Sequence, residues 1–368
     1  MFGASALNDF IALGPAAWAR VRARLVELLC ADGDPALRDD EALRARALIP
    51  LDRVTNELPV RIGGYTDFNA ARQHAFNAGA LLRGPDNALP ANWLHMPIGY
   101  NGRVSTVVVS GTPIRRPLGQ FRLPGEERPR FGPSRRLDFE LELGTIVGAP
   151  SRMGEPVTVA QADAMIFGHV LLNDWSARDI QAWETVPLGP FQGKAFGTTI
   201  SPWIVTRAAL EPFRSPAPPP ETPLLPYLQE SAPTRHDIAL EATLVPAGEA
   251  EGAVIVRTNA RHLYYSPAQM LAHHAVGGCR MDVGDLLGSG TVSGPDPGSW
   301  ACLLELTRGG RDPISSVNRT WLHDGDAVVL RGFAQRSGTR VGFGECRGVV
   351  LPAPDGVPHW RVVSPVMV

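Results

Sequence analysis

The stretch "LDFELEL", residues 137–143, alternates apolar and acidic side chains at every position. Because successive side chains of a β-strand point to opposite faces, this alternation predicts a strand with one apolar and one acidic face. Glu140 and Glu142 then lie roughly 7 Å apart, at a rise of about 3.3 Å per residue. Such a face is common on solvated edge strands, but it also offers oxygen ligands to a hard divalent cation. The strand alone favours the solvated edge.

Outward from this stretch, β-rich runs bounded by Gly and Pro turns follow one another from about residue 60. Examples are "STVVVSGTPI" (105–114), "ALEATLVPAG" (239–248) and "DAVVLRGFAQ" (326–335). Before that point, "GPAAWARVRARLVELL" (14–29), with Pro15 in its first turn, predicts a helix. We therefore predict an α+β, β-dominated chain, with a helical N-terminal segment over residues 1–58 and a barrel or rolled sheet over residues 59–368.

The composition is that of an ordinary globular protein, with 368 residues, 44% hydrophobic side chains and a net charge of -2. The near-neutral charge argues against a nucleic-acid or anionic-membrane partner. No run of about 18 apolar residues is present, so we expect no membrane span, and the first residues do not resemble a secretory signal. The four cysteines lie far apart in sequence, which fits reduced thiols in a cytoplasm rather than disulfides or a zinc site.

Lys194 is the only lysine in a chain whose 35 basic residues are otherwise arginines. Solvated positions tolerate an exchange of Lys for Arg, but an enclosed site that needs a compact ammonium does not accept the bulky guanidinium fork. A functional role for Lys194 is therefore the favoured interpretation, and survival by chance under a coding bias is the alternative. The surrounding "GPFQGKA" lacks the spacing of a phosphate-binding loop, which argues against a nucleotide role.

His74 is a candidate for proton transfer. It lies in "YTDFNAARQHAFNAG" together with Asp67, and histidine is the side chain best suited to accept and donate protons near neutral pH. A structural histidine is the alternative, and from this segment alone it is the favoured one. No G-x-S-x-G turn is present, so the sequence gives no support for serine catalysis.

Asp174 ends the apolar run "MIFGHVLLND" (165–174) ahead of an expected helix. An aspartate in that place is either a metal ligand or a helix N-cap. Arg178 and Gln181 follow it three residues apart, so they share one face of the helix. The segment thus groups a carboxylate, a guanidinium and an amide within a short stretch.

Six longer motifs occur in one order along the chain: "YTDFNAARQHAFNAG", "NWLHMPIGYNGR", "SGTPIRRPLGQ", "LDFELELG", "LNDWSARDIQAWETVPLGPFQGKAFGTTISPW" and "GDLLGSGTVSGP". Together they resemble the fumarylacetoacetase family, C–C bond hydrolases that complete tyrosine and phenylalanine breakdown. The resemblance covers about residues 9–352. It implies a catalytic domain built as a mixed β-roll, and a homodimer with the active site near the interface.

The resemblance also implies a metal site and its ligands. One divalent cation, Mg²⁺ or Ca²⁺, would be held by four carboxylates, those of Asp67, Glu140, Glu142 and Asp174. A second cation site, or a positioning site, matches Lys194, Gly197 and Thr198. These ligand sets come from the resemblance and not from the spacing of the residues.

The catalytic roles follow from the same resemblance. His74 would be the general base that activates water, oriented by Glu305 in "SWACLLEL". The groups that would hold the substrate and the developing oxyanion are Arg178, Gln181 and Lys194. The positions that would contact substrate are Asn69, Arg83, Tyr100, Gln181, Thr185 and Thr291.

The sequence departs from the family pattern in two places. Asn69 and Thr185 stand where the family carries substrate-binding tyrosines, so we expect a wider pocket of different polarity. The chain also starts at the helical stretch, where family members carry a small β-rich segment first. A reduced N-terminal lobe and a start codon placed too late are the two interpretations.

We expect a metal-dependent hydrolase that cleaves a C–C bond of a small β-diketo acid, with fumarylacetoacetate, split into fumarate and acetoacetate, as the leading substrate. One alternative is a paralogue that acts on another acylpyruvate or β-dicarbonyl compound. Another is a decarboxylase, tautomerase or C–C bond-forming enzyme with the same metal–enolate chemistry. A non-catalytic binding protein is disfavoured, because His74, Glu305 and the metal carboxylates are all present.

Overall fold

The computed structural model describes residues 3–123 and 125–354. Its helices are α1 (Asn8–Ile11), α2 (Pro15–Leu29), α3 (Pro35–Arg38), α4 (Glu41–Ala47), α5 (Arg72–Arg83), α6 (Val159–Met165), α7 (Arg178–Glu184), α8 (Gln192–Ala195), α9 (Arg207–Leu210), α10 (Pro267–Ala275) and α11 (Leu303–Leu306). Its strands are β1 (Tyr65–Phe68), β2 (Gly99–Asn101), β3 (Val107–Val109), β4 (Ile114–Arg115), β5 (Leu118–Phe121), β6 (Arg130–Pro133), β7 (Leu137–Asp138), β8 (Leu141–Val147), β9 (Ile166–Asp174), β10 (Ser176–Ala177), β11 (Thr198–Ile200), β12 (Val205–Thr206), β13 (Arg214–Ser215), β14 (Arg235–His236), β15 (Ala239–Val245), β16 (Ala253–Asn259), β17 (Leu286–Gly288), β18 (Ala327–Arg336) and β19 (Thr339–Leu351).

The predicted α+β, β-dominated fold class is confirmed by this arrangement. Helices α1 to α4 precede all strands of the described residues, as the predicted helical N-terminal segment requires. The exact boundary between residues 58 and 59 stays a prediction. Among residues 3–123 and 125–354, no helix has the length and apolarity needed to cross a lipid bilayer.

The largest sheet is mixed and runs in the order β2-β1-β17-β8-β9-β11-β3, with β12 also paired to β9. The pairs β1–β17 and β11–β3 are parallel, and the central pair β8–β9 is antiparallel. Every residue of β8 and β9 is buried. A strand covered on both faces needs apolar side chains at consecutive positions, and β9 supplies them through Val170, Leu171 and Leu172.

The "LDFELEL" stretch differs from the single strand that its alternation predicts. It is divided into β7, which pairs with β10, and β8, which begins at Leu141. Between them, Glu140 forms an isolated bridge with Cys302. The solvated edge favoured by the pattern is wrong, because β8 lies between β17 and β9 and all its residues are buried. The acidic face of the stretch therefore points into the protein interior.

A second sheet of five strands, in the order β16-β15-β18-β19-β4, packs against the first. The closeness of the two sheets is visible at Gly332 in β18, where an added Cβ would lie 3.0 Å from both Leu171 in β9 and Leu240 in β15. Helix α10 joins the same hydrophobic core and begins with a capping box formed by Ser266 and Gln269. The two sheets thus provide a rigid base for the strands that carry the acidic residues.

The N-terminal helices attach to the outside of this base. Phe10 and Trp18 meet the ring of Phe167 in β9 edge to face, at centroid distances of 6.2 and 5.1 Å. Helices α3 and α4 begin at Asp34 and Asp40, whose carboxylates accept hydrogen bonds from backbone N–H groups of their first turns. Such caps satisfy donors that a helix start leaves free.

Candidate active site

Four carboxylates from distant segments converge at one end of the central strands. Asp67 comes from β1, Glu142 from β8 and Asp174 from the last position of β9, while Glu140 lies in the bridge before β8. The four residues offer oxygens that lie within 4.8 Å of one another, and all four are buried. The order β1-β17-β8-β9 brings them together, with Asp67 opposite Gly288 of the short strand β17.

Burial makes it costly for all four carboxylates of this cluster to be ionised together. Desolvation, followed by the charge of Asp174, raises the pKa of Asp67 well above its usual range. Desolvation and the charge of Asp67 do the same to the pKa of Glu142. Asp67 Oδ1 and Glu142 Oε1 are buried without a hydrogen-bond partner in the described part of the chain. Unpaired buried oxygens are costly, and a hard divalent cation satisfies this kind of donor set.

Two glycines of the β17 end shape the space beside the cluster. An added Cβ at Gly288 would lie 2.6 Å from Asp67 Oδ1 and 3.0 Å from Glu142 Oε2. Gly290, at a φ of +74°, donates its backbone N–H to Glu142 Oε2 at 2.9 Å. A side chain at Gly288 would therefore fill the cradle that the carboxylates form. Sequence reasoning quoted "GDLLGSGTVSGP" as a motif but assigned no role to these glycines.

Lys194 and Arg178 supply the positive charges next to the cluster. Lys194 Nζ forms ion pairs with Glu140 and, at 2.5 Å, with Asp174 Oδ2. Arg178 lies 2.7 Å from Glu140 and 2.8 Å from Asp138. Burial alone would lower the pKa of Lys194, but the charges of Asp174 and Glu140 raise it above its usual value. Lys194 is thus a compact, buried ammonium, as its singular retention in the sequence suggested.

The charges around Glu140 have the opposite effect on that carboxyl. Burial alone would raise the pKa of Glu140, but the charges of Arg178 and Lys194 outweigh it and hold that pKa below its usual range. Glu140 is therefore the member of the cluster whose ionised form the neighbouring cations favour most strongly. Among the described residues, Asp67 and Glu142 form no such ion pair. Further positive charge is therefore needed to favour their ionised forms.

Tyr100 and Thr198 fix the position of the Asp174 carboxylate. The Tyr100 hydroxyl donates to Asp174 Oδ2 at 3.0 Å, and the Thr198 hydroxyl donates to Asp174 Oδ1 at 3.1 Å. Gly197 is buried beside Ile114, whose Cδ1 would lie 2.9 Å from an added Cβ. The structure thus groups Lys194 and Thr198 around Asp174. A second cation site made of Lys194, Gly197 and Thr198 stays a prediction.

His74 and Glu305 form a buried pair beside the cluster. His74, on α5, places Nδ1 2.7 Å from Glu305 Oε2 and Nε2 3.9 Å from Glu140 Oε1. Burial alone would raise the pKa of Glu305, but its contact with His74 holds that pKa below its usual range. An ionised carboxylate only accepts hydrogen bonds, so Nδ1 carries the proton. Nε2 is then the nitrogen that faces the acidic cluster and can accept a proton.

Three further side chains orient Glu305, and sequence reasoning assigned none of them. Asn77 Nδ2 donates to Oε1 at 2.8 Å, while Ser293 Oγ and Cys302 Sγ donate to Oε2 at 2.7 and 3.2 Å. Asn77 lies three residues after His74 on α5, a helical spacing that places both on one face. Ser293 and Cys302 come from segments whose approach to Glu305 only the fold shows.

Asp138 is a second residue whose role the sequence did not show. Its oxygens accept from the backbone N–H groups of Leu303 and Leu304 at 2.7 and 3.0 Å, and from Arg178 Nε at 2.8 Å. This buried carboxylate therefore joins β7 to the start of α11, which carries Glu305. The alternating pattern placed Asp138 on the acidic face but gave no reason to separate it from Glu140 and Glu142, the predicted metal ligands.

The converging groups line one pocket of about 620 Å³. The predicted site residues that line it are Asp67, Asn69, His74, Arg83, Tyr100, Glu140, Glu142, Arg178, Gln181, Thr185, Lys194 and Thr291. Asp174, Gly197, Thr198 and Glu305 lie behind this lining. Another cavity, of about 440 Å³, is lined by residues such as Ser5 and Val60 and shares no lining residue with it.

The predicted substrate contacts differ in how free their polar atoms are. The Thr185 hydroxyl donates to the Gln181 carbonyl at 2.6 Å, and the Arg83 guanidinium donates to the carbonyls of Asn87 and Ala88 at 3.1 and 2.7 Å. Asn69 Oδ1 and Thr291 Oγ1, by contrast, are buried with no hydrogen-bond partner among the described residues. The hydrogen-bonding capacity of these two atoms is therefore not used within the described part of the protein.

Comparisons with known proteins give matches over almost the whole chain. Residues 64–351 match the family model "Fumarylacetoacetate (FAA) hydrolase C-terminal" and residues 1–59 match "Fumarylacetoacetase N-terminal". The chain is 51% identical over 356 residues to the fumarylacetoacetase of Rattus norvegicus, covering 96% of this chain and 85% of that protein. It is 50% identical over 350 residues to that of Arabidopsis thaliana, covering 95% and 83%.

A solved structure shares the fold at much lower sequence similarity. The fumarylacetoacetate hydrolase of the psychrophilic Exiguobacterium antarcticum superposes with a TM-score of 0.51 at 18% identity, covering 82% of this chain and 80% of that one. At this identity the likeness concerns the fold alone. It supports the mixed β-roll that the sequence motifs implied.

Proposed function

Because the chain belongs to the fumarylacetoacetase family, we propose that it hydrolyses fumarylacetoacetate to fumarate and acetoacetate. It is an enzyme, a hydrolase that acts on carbon–carbon bonds. One observation carries the proposal: a buried cluster of four carboxylates shares its pocket with the His74–Glu305 pair. The first group suits a divalent cation and the second suits proton transfer from water.

The residues present fit such a cation. Asp67, Glu140, Glu142 and Asp174 would hold it, and the orphaned oxygens of Asp67 and Glu142 are the atoms that most need it. When bound, Mg²⁺ or Ca²⁺ polarises a β-dicarbonyl group and stabilises the enolate that leaves when the C–C bond breaks. We propose Mg²⁺ or Ca²⁺ as the resident metal.

His74 moves the protons. Its Nε2 takes a proton from water, whose oxygen attacks the ketone carbon next to the alkene. The C–C bond then breaks, its electron pair enters the leaving enolate, and His74 returns the proton to the enolate carbon. Glu305 holds Nδ1–H at 2.7 Å throughout and stabilises the imidazolium that forms between these steps.

Lys194, Arg178 and Gln181 stabilise the charge that develops on the attacked carbonyl oxygen. Lys194 and Arg178 are buried, so their charges act in a region where water screens little. Gln181 is held by Arg178, whose Nη1 donates to its Oε1 at 3.2 Å. The three groups are therefore fixed in position before the substrate arrives, which lowers the reorganisation that the reaction requires.

A second candidate function follows from Asn69 and Thr185. Thr185 donates its hydroxyl to the Gln181 carbonyl, and Asn69 lines the pocket with its Oδ1 unpaired among the described residues. This supports the alternative that the enzyme acts on another acylpyruvate or β-dicarbonyl acid with the same chemistry. The same metal–enolate chemistry would serve a decarboxylase, a tautomerase or a C–C bond-forming enzyme, in which the enolate forms without attack by water.

We further propose that the enzyme works as a cytoplasmic homodimer in tyrosine and phenylalanine breakdown. The pocket rim supports an association between copies, because Val186 and Leu188 are 85% and 95% exposed there, and Phe191, which follows in sequence, is 72% exposed. Exposed apolar side chains grouped in this way are typical of interaction surfaces. Light scattering of the purified protein tests the dimer, and a monomeric mass at working concentration would contradict it.

The activity is tested directly with purified protein, Mg²⁺ or Ca²⁺, and fumarylacetoacetate. We expect loss of the diketone absorbance, inhibition by a chelator, and a decrease of about 10²–10⁴-fold in kcat for His74→Ala. No turnover of fumarylacetoacetate together with turnover of other acylpyruvates would favour the second candidate. Full activity of His74→Ala would remove the general-base role.

A further inference from the structure

Arg136 is a pocket-lining arginine whose guanidinium has no partner among the residues that the structure describes. Its side chain lines the pocket and is half-buried. Lys194 and Arg178 are paired with carboxylates, and Arg83 donates to two backbone carbonyls. Within residues 3–123 and 125–354, the Arg136 guanidinium has no hydrogen bond, ion pair or ring contact. A guanidinium in this position is available to an anion.

The backbone of Arg136 is fixed close to the reacting groups. Its carbonyl accepts a hydrogen bond from the backbone N–H of Arg178 at 2.9 Å. The preceding turn is held by Ser134, whose hydroxyl donates to Asp179 at 2.6 Å. Arg136 therefore projects from a base that is anchored to the helix α7, which also carries Gln181. A long side chain on a rigid base can reach a ligand at a defined place.

We propose that Arg136 binds a terminal carboxylate of the substrate, so that the pocket selects diacids over monoacids. This inference rests on the proposed function, because fumarylacetoacetate carries a carboxylate at each end. A guanidinium binds a carboxylate through two parallel N–H donors, a geometry that neither lysine nor an amide reproduces. Thr185 does not offer this recognition, since its hydroxyl is bound to the Gln181 carbonyl.

Arg135 provides a matched control. It is exposed, does not line the pocket, and places its guanidinium 5.9 Å from the centroid of the Phe121 ring. The variants Arg136→Gln and Arg135→Gln therefore remove the same charge from adjacent positions, and only the first removes it from the pocket. Thermal unfolding of both variants checks that each remains folded.

The first test is steady-state kinetics with fumarylacetoacetate and Mg²⁺. Arg136→Gln is expected to raise KM by about 10–100-fold, the range of one charged hydrogen-bonded contact, with a smaller change in kcat. Arg135→Gln is expected to keep both constants within about twofold. An unchanged KM in Arg136→Gln contradicts the proposal, as does a fall in kcat with no change in KM.

The second test measures binding without turnover. Calorimetry with Mg²⁺-loaded protein compares fumarate with monomethyl fumarate, and acetoacetate with methyl acetoacetate. The wild type and Arg135→Gln are expected to bind at least one acid about 10-fold or more tighter than its ester, and Arg136→Gln is expected to lose that preference. Loss with the fumarate pair or with the acetoacetate pair identifies the end that Arg136 binds.

These outcomes separate the inference from the proposed function. The wild type could fail to cleave fumarylacetoacetate and still bind the acid more tightly than the ester, with that preference lost in Arg136→Gln. This result would contradict only the proposed activity. A wild type without any preference for acid over ester, or an Arg136→Gln variant that keeps it, overturns the role of Arg136.

Discussion

Two regions of the molecule hold arginines against acidic side chains at similar distances. Beside the pocket, Arg178 lies 2.8 Å from Asp138 and 2.7 Å from Glu140, and all three side chains are buried. On the five-stranded sheet, Arg331 lies 2.5 Å from Glu345, and the two side chains are 48% and 49% exposed. Water screens the second pair and reaches the first very little. The distance between the charged groups therefore does not by itself determine how much an ion pair contributes to stability.

This difference in burial affects both the stability of the protein and its catalysis. An exposed pair gains little, because each partner remains well solvated when the other is removed. A buried pair whose partner is removed leaves a charge without compensation. The same lack of screening allows buried charges to act strongly on a reacting molecule. Substitutions in the two regions can test each part of this comparison.

The largest expected effect is on stability, at Asp138. Asp138→Asn places an amide nitrogen against donors from Leu303, Leu304 and Arg178, and it leaves the Arg178 charge with less compensation. We expect the free energy of unfolding to fall by about 3–5 kcal/mol, measured by denaturant titration. A loss below about 1 kcal/mol would place this buried network in the same class as the surface pair.

The next effect is on turnover, at Lys194. Lys194→Arg keeps the charge but not the compact shape, so the guanidinium cannot occupy the same contacts with Glu140 and Asp174. We expect kcat to fall by about 10²–10³-fold, with a fold retained by circular dichroism. Arg207→Lys, at a half-exposed ion pair with Asp163, is the control and is expected to keep wild-type turnover. Wild-type rates in Lys194→Arg would mean that the lone lysine is an accident of codon use.

A smaller effect concerns two buried histidines, His169 and His236, which have no acidic hydrogen-bond partner in the described part of the chain. Burial lowers the pKa of His169 to about 4 and, together with His169, that of His236 to about 2. Below pH 6.5 the unfolded chain thus binds protons that the folded chain does not, so stability falls as the pH falls. Relative to His236→Phe, the wild type should lose about 1.4 kcal/mol per pH unit below pH 6.5.

This pH dependence is measured as a difference between two proteins, because the carboxylates of the pocket also titrate. Denaturant titrations of wild type and His236→Phe at several pH values between 5 and 8, with Mg²⁺ present, provide it. Parallel curves across that range would show that His236 is not kept neutral by its surroundings.

The smallest effect is expected at the surface pair. Arg331→Ala removes one partner of Glu345 on the exposed side of the five-stranded sheet. We expect a change below about 1 kcal/mol in the free energy of unfolding, reduced further in high salt, and no change in turnover. A loss comparable to that of Asp138→Asn would mean that solvent exposure does not separate the two regions.

The sequence predicted strands more reliably than it predicted their surroundings. The alternating stretches "LDFELEL" and "ALEATLV" both belong to strands, but β15 alternates buried and half-buried residues whereas β8 is buried throughout. The pattern of one strand does not contain the strands that will lie beside it. Burial of β8 is decided by β17 and β9, and β17 comes from a segment about 140 residues away in sequence.

The candidate site shows the same limit. The family motifs identified residues that the fold brings together, among them Asp67, Glu140, Glu142, Asp174 and His74. They did not identify Asn77, Ser293 or Cys302, which donate hydrogen bonds to Glu305. They also did not identify Arg136, because nothing in a local pattern shows that a charge will lack a partner. Roles that depend on contacts between distant segments require the fold.

The narrow cradle at Gly288 has a consequence for how variants of this protein are judged. The residue has no functional group, yet a single added methyl would press against Asp67 and Glu142 at once. A substitution as mild as alanine there would displace the carboxylates of the acidic cluster from inside a well-packed strand. Screening that ranks positions by chemical reactivity would overlook this position.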